Sequence, residues 1–184
     1  MPINRKSNNE GAIMKGRPRI VKKKSINTEQ DPYLTALGPG DMAVCRKCGA
    51  IYHNKRWTLS KEEMIARAEK KRVEVVCPAC KKISDKFAEG FVTIEGKFQK
   101  AHRDEIISLI RHKELRAMHF NPLDRIIEIK DTEEKIEVTT TTEKLAQRIG
   151  QMLGKAFDGD VEYKWSSDVK LARVVWKRDN SGKK

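Results

Sequence analysis

Four cysteines carry the most specific chemistry in this sequence. They fall in two pairs, Cys45-Arg46-Lys47-Cys48 and Cys77-Pro78-Ala79-Cys80, with 28 residues between the pairs. A Cys-x-x-Cys turn sets two thiolates on one side of a tight bend. Two such turns supply the four soft donors that a tetrahedral zinc ion takes at about 2.3 Å each. Cys45, Cys48, Cys77 and Cys80 are therefore the expected ligands of one structural Zn2+, and four sulfurs close the shell against substrate. Gly49 stands where the first turn favours a left-handed residue, and Pro78 can stiffen the second. His53 reads as an exposed strand residue rather than a replacement ligand. A redox role would call for a single Cys-x-x-Cys at a helix N-terminus in a βαβ setting, and disulfides do not suit a reducing compartment. Arg46, Lys47, Lys81 and Lys82 flank the cysteines and can offset the negative charge of a four-thiolate site. Metal binding is expected to supply a large share of local folding free energy, on the order of 10 kcal/mol.

The cations extend well beyond the cysteines. Lys and Arg outnumber Asp and Glu by 39 to 26, a net charge of +13. Such an excess favours polyanionic partners, nucleic acid foremost. Residues 1–24 carry +7 and residues 45–100 another +7, so the excess sits in an N-terminal arm and in the cysteine region. Lys22, Lys23 and Lys24 in the arm, and Arg46, Lys47, Lys55 and Arg56 beside the cysteines, are expected to neutralise phosphates. Tyr52 and Trp57, in an extended stretch Ile51 to Trp57, can stack bases among those cations. Packing against the neighbouring helix is the alternative for both rings. On the last helix Lys144, Arg148 and Lys155 form a basic stripe with Gln151, a quarter turn from the apolar face. Tyr163, Trp165 and Trp176 lie on strands and are expected in the core more readily than against bases.

The elements that must position these residues give an α+β fold class. Residues 1–40 read as a disordered basic arm and a breaker-rich linker containing Asp31-Pro32 and Gly38-Pro39-Gly40. Residues 41–100 read as a four-cysteine, zinc-ribbon-like module with an inserted helix, opened by the capping box Ser60-x-x-Glu63. Phe91, Val92 and Ile94 suggest a strand near its end. Residues 101–124 read as a connecting helix, residues 125–178 as a ββαββ module and residues 179–184 as a tail. In the ββαββ module, Arg125–Lys130 and Lys135–Thr139 alternate as paired strands. A capping box Thr140-x-x-Glu143 opens a helix to Phe157. Val161–Trp165 and Leu171–Lys177 complete a four-stranded sheet with one helix on one face.

No apolar run approaches the roughly 18 residues of a spanning helix, and residues 1–24 contain no apolar core of a secretory signal. A cytoplasmic, reducing location is the expectation. No Gly-rich phosphate loop follows a strand, and nothing in the sequence brings Ser, His and Asp together, so no enzymatic activity is expected.

The run Cys45-Arg-Lys-Cys-Gly-Ala-Ile-Tyr-His-Asn-Lys-Arg-Trp57, the Cys77-Pro-Ala-Cys80 pair and the block Thr141-Thr-Glu-Lys-Leu-Ala-Gln-Arg-Ile-Gly150 together resemble a small family of bacterial zinc-knuckle proteins. That resemblance spans about residues 40–178. The knuckles alone are loosely similar to the amino-terminal zinc region of the adaptor that escorts the large ribosomal subunit out of the nucleus, a region with more Cys-x-x-Cys pairs. The second resemblance implies an RNA- or ribosome-directed module. The expectation is a non-enzymatic zinc protein that binds structured RNA, with ribosomal RNA or the ribosome as the implied partner and no membrane. The alternative is a zinc-ribbon adaptor whose main partner is another protein. A duplex-DNA binder fits less well, because Glu62, Glu63 and Glu69 on the inserted helix oppose phosphate.

Overall fold

The structure, a computed structural model, describes residues 32–33, 36–38, 40–59, 73–166 and 170–179. The basic arm with Lys22, Lys23 and Lys24, the helix expected after Ser60 and the last five residues lie outside them. Among the described residues there are two sheets and four helices.

The first sheet is small. Its strands are β1 (Ala43–Cys45), β2 (Ile51–His53), β3 (Arg56–Thr58) and β4 (Val73–Val75), in the order β3-β2-β1-β4. β1 pairs antiparallel with β2 and parallel with β4. The stretch expected to run extended from Ile51 to Trp57 is instead a hairpin. Asn54 and Lys55 adopt positive φ of 49° and 62°, the left-handed pair that a two-residue turn between twisted strands requires. The turn puts Tyr52 opposite Trp57, so both rings fall on one face. Helix α1 (Pro78–Ser84) follows β4 directly.

The second sheet is larger: β5 (Gly90–Glu95), β6 (Ile126–Asp131), β7 (Lys135–Thr140), β8 (Asp160–Trp165) and β9 (Ala172–Lys177), in the order β6-β7-β5-β9-β8. The expected ββαββ elements are present with boundaries shifted by a residue or two. The four-stranded count is corrected to five. β5, assigned from sequence to the zinc module, lies at the centre of this sheet, antiparallel to β7 and parallel to β9. Its two-residue alternation, with Gly90, Val92 and Ile94 buried, is that of a strand covered on one face.

Three helices serve this sheet: α2 (Lys97–Ala101), α3 (Arg103–Phe120) and α4 (Glu143–Phe157). Ile106, Ile110 and Ala117 of α3 join Leu145, Ala146, Ile149 and Leu153 of α4 in one core with Val92, Ile94, Ile136, Val138, Val174 and Trp176. The segment read as a connector is thus part of the layer. Trp176 is fully buried, and its indole N–H donates to the Asp158 carbonyl at 2.7 Å, which satisfies the ring's one polar group. Tyr163 packs half-buried at the edge of the same core. Trp165 is 47 % exposed and stacks on Tyr163.

The cap of α4 also moves. Thr142, not Thr140, accepts from the Leu145 N–H. Thr140 is taken by β7, and its hydroxyl donates to the Thr142 carbonyl instead. Helix and sheet meet closely because two positions lack side chains. A Cβ on Gly150 would lie 2.5 Å from Val174 Cγ1, and one on Gly90 would lie 2.2 Å from Thr140 Oγ1 and 2.6 Å from Ala146 Cβ. Gly90→Ala is therefore expected to cost about 1–3 kcal/mol through overpacking. Gly40→Ala, whose Cβ would meet nothing within 4 Å, is expected to leave the melting temperature unchanged or slightly raised. Equal melting temperatures for the two variants in thermal denaturation would contradict the close approach.

Candidate functional site

The ligating atoms of Cys45, Cys48, Cys77 and Cys80 lie within 4.8 Å of one another. The first pair is built by a strand and a turn. Cys45 ends β1, its N–H donates to the Ala50 carbonyl at 2.8 Å, and its carbonyl accepts from the Gly49 N–H at 2.8 Å. Gly49 has φ of +72°, the left-handed conformation expected of it. The second pair differs from a second turn: it opens a helix. Cys77 is the N-cap of α1, its sulfur accepts from the Cys80 N–H at 3.5 Å, and Pro78 occupies the first turn. Proline suits that place because its missing N–H would have had no partner there. Backbone N–H groups aimed at sulfur favour thiolates: the Cys77 N–H also donates to Cys45 Sγ at 3.3 Å.

The donor set fits a metal ion. Four bonds of about 2.3 Å in a tetrahedron place sulfurs about 3.8 Å apart, and Cys48 Sγ lies 3.7 Å from Cys77 Sγ. Among the sulfurs themselves ionisation is in conflict. A hydrogen bond from Cys77 lowers the Cys48 thiol to about 5. The same contact, with burial, pushes Cys77 far above the usual thiol range, and burial pushes Cys80 up to about 12. One thiolate makes the next harder to form, and a cation at the centre removes that conflict while releasing the remaining protons. His53 lies at the far end of β2, beside the hairpin turn, and is not in the cluster.

The expected RNA-facing residues separate into distinct groups. Arg46 and Lys47, in the first cysteine turn, and Lys55 and Arg56, at the hairpin tip, are exposed. Tyr52 and Trp57 are each only 7 % exposed, which corrects their reading as base-stacking platforms. They pack on each other with ring centroids 5.5 Å apart, in one cluster with Cys45, Cys77 and Cys80. The Tyr52 hydroxyl donates to the Leu37 carbonyl at 3.2 Å. Lys82 is corrected too. It is buried, 2.6 Å from Glu89 and donating to the Thr141 carbonyl, so it does not face the sulfurs as a free charge. Burial raises the Glu89 carboxyl above its ordinary value, and the Lys82 ammonium partly reverses that.

Lys144, Arg148 and Lys155 are exposed on α4. Arg148 is not free, however. Its guanidinium pairs with the buried Asp124 at 2.8 Å, and Asp124 also accepts from Thr142 and Asn121. Sequence reasoning missed Asp124, whose partners come from the end of α3 and the start of α4. Its place between Pro122 and a strand reads only as loop.

Comparison with models of known protein families finds no match, and comparison with curated proteins finds none. Among the described residues no helix is long and apolar enough to cross a membrane.

The burial of Trp57 separates a core role from a binding one. Trp57→Ala is expected to cost about 3–5 kcal/mol and to lower the melting temperature, whereas Lys55→Ala on the same hairpin should leave it unchanged. A Trp57→Ala protein that melts like the wild type but loses RNA affinity would restore the stacking role.

Proposed function

We propose that this protein holds one structural zinc ion between Cys45, Cys48, Cys77 and Cys80 and binds RNA through the exposed cations of the module that the ion organises. Four thiolates in a closed tetrahedral set favour zinc over hard cations such as magnesium or calcium, which take oxygen. A closed shell also supports a binding protein rather than an enzyme.

The RNA reading is carried by how charge is distributed after folding. Arg46, Lys47, Lys55 and Arg56 are exposed and make no ion pair among the described residues. On the uncovered face of the large sheet the opposite holds: Lys130 pairs with Glu128, Lys135 with Glu137 and Lys164 with Glu162. Cations left unpaired at the turns of the small sheet and neutralised on the large one are arranged for a polyanion that meets the small module. The basic arm adds phosphate contacts, and the resemblance to ribosome-directed zinc modules implies structured or ribosomal RNA. A protein partner is favoured by one different observation. Leu115 and Phe120 of α3 are 62 % and 82 % exposed, more apolar surface than two helix positions need leave in water.

Native mass spectrometry of the purified protein is expected to show one zinc per chain. A metal-free chain holding internal disulfides would contradict the metal assignment. Affinity for an RNA hairpin should fall as salt rises, with a log–log slope of roughly −3 or steeper if the four exposed cations of the small module each meet a phosphate. Association that ignores salt and survives nuclease would assign the surface to a protein instead.

A further inference from the structure

The large core leaves a groove on its outer side, between α3 and α4. It has a volume of about 270 Å³ and is lined by Lys113 of α3 and by Arg148, Gln151, Met152, Lys155 and Ala156 of α4. One wall is thus contributed by a helix that sequence reasoning assigned no part in binding. The charges converge there. Burial first, then the charges of Arg148, Arg116 and Lys155, push the Lys113 ammonium below its ordinary value. The acidic group next to Lys113 in sequence is engaged elsewhere. Glu114 pairs with Arg111 and Arg125 and accepts from the Ile126 N–H. Asp124 is buried and holds one side of the Arg148 guanidinium, which fixes that head at the groove and, among the described residues, leaves its other N–H groups free to donate.

We infer that the α3/α4 groove is a phosphate-binding channel for the backbone of an RNA strand, with Lys113 and Lys155 as its opposed cations and Arg148 as its oriented donor. This rests on the RNA reading above and locates a second contact on the large module. Charge of one sign facing itself across a cleft is costly until an anion enters. The same cleft focuses the potential of its cations on whatever enters. Met152 and Ala156 offer an apolar floor to a sugar, and Gln151 offers both a donor and an acceptor to a ribose hydroxyl, the group that marks RNA.

The test uses the full, zinc-loaded chain and a fluorescein-labelled RNA hairpin, read by anisotropy over a range of salt. The groove variant is Lys113→Gln with Lys155→Gln. The control, Lys130→Gln with Lys164→Gln, removes equal charge from the paired face of the sheet. At physiological salt, where charges beyond about 8 Å are screened, the groove variant is expected to bind at least roughly tenfold more weakly, with a salt slope flatter by about 1.5. Its melting temperature should hold or rise, because mutual repulsion is relieved. The control should change affinity by less than about twofold. Equal losses in both variants, or a loss in neither, would overturn the groove while leaving RNA binding in place. A wild-type chain that fails to bind the hairpin at low salt would overturn both readings. A groove variant that keeps RNA but loses binding to polyglutamate would assign the channel to an acidic protein and overturn the RNA assignment.

Discussion

Four thiols can share one small volume only if protons or a cation keep their charges apart. Here the four ligating atoms stand within 4.8 Å of one another, and the surrounding module depends on that convergence. Its strands are three residues each, too short to stand on pairing alone. Its apolar cluster includes three of the cysteines together with Tyr52 and Trp57, so residues that could hold a metal ion are also core residues. The order extends outward through α1. Cys77 and Cys80 place that helix, the helix carries Lys82, and Lys82 reaches Glu89 and the Thr141 carbonyl at the ends of β5 and β7 in the large sheet.

What was legible in the sequence was local. The cysteine spacing named the cluster, and the alternation of residues 126–140 and the apolar stripe of residues 145–157 named two strands and a helix within a residue or two. What was not legible was long-range or hinged on one turn. Nothing near Val92 says that its strand pairs with β9, which lies far along the chain beyond α4 and β8. Asn54-Lys55 lacks the glycine that announces a tight hairpin, so the stretch reads as extended, which would set Tyr52 and Trp57 on opposite faces, when the turn puts them on the same one. The cap at Thr140 failed because strand pairing claimed that residue first.

The net charge of +13 behaves in the same way. As a composition it states that the chain suits polyanions; it cannot say where. Folding decides which cations are neutralised, as on β6, β7 and β8, and which stay without an ion pair among the described residues, as at Arg46, Lys47, Lys55 and Arg56. The stripe on α4 was visible as a helical periodicity, yet its arginine is committed to Asp124, and its second wall comes from Lys113 on the preceding helix.

The proposed dependence of the small module on a bound zinc ion is tested most directly by hydrogen exchange on the chain loaded with zinc, before and after a chelator strips the metal. Amides of residues 43–58 and 73–84 should lose protection when the metal leaves, because binding free energy there is folding free energy. Amides of β5, β7 and β9, held by an apolar core of their own, should keep most of theirs. Protection that survives in the cysteine module after metal removal would contradict the account.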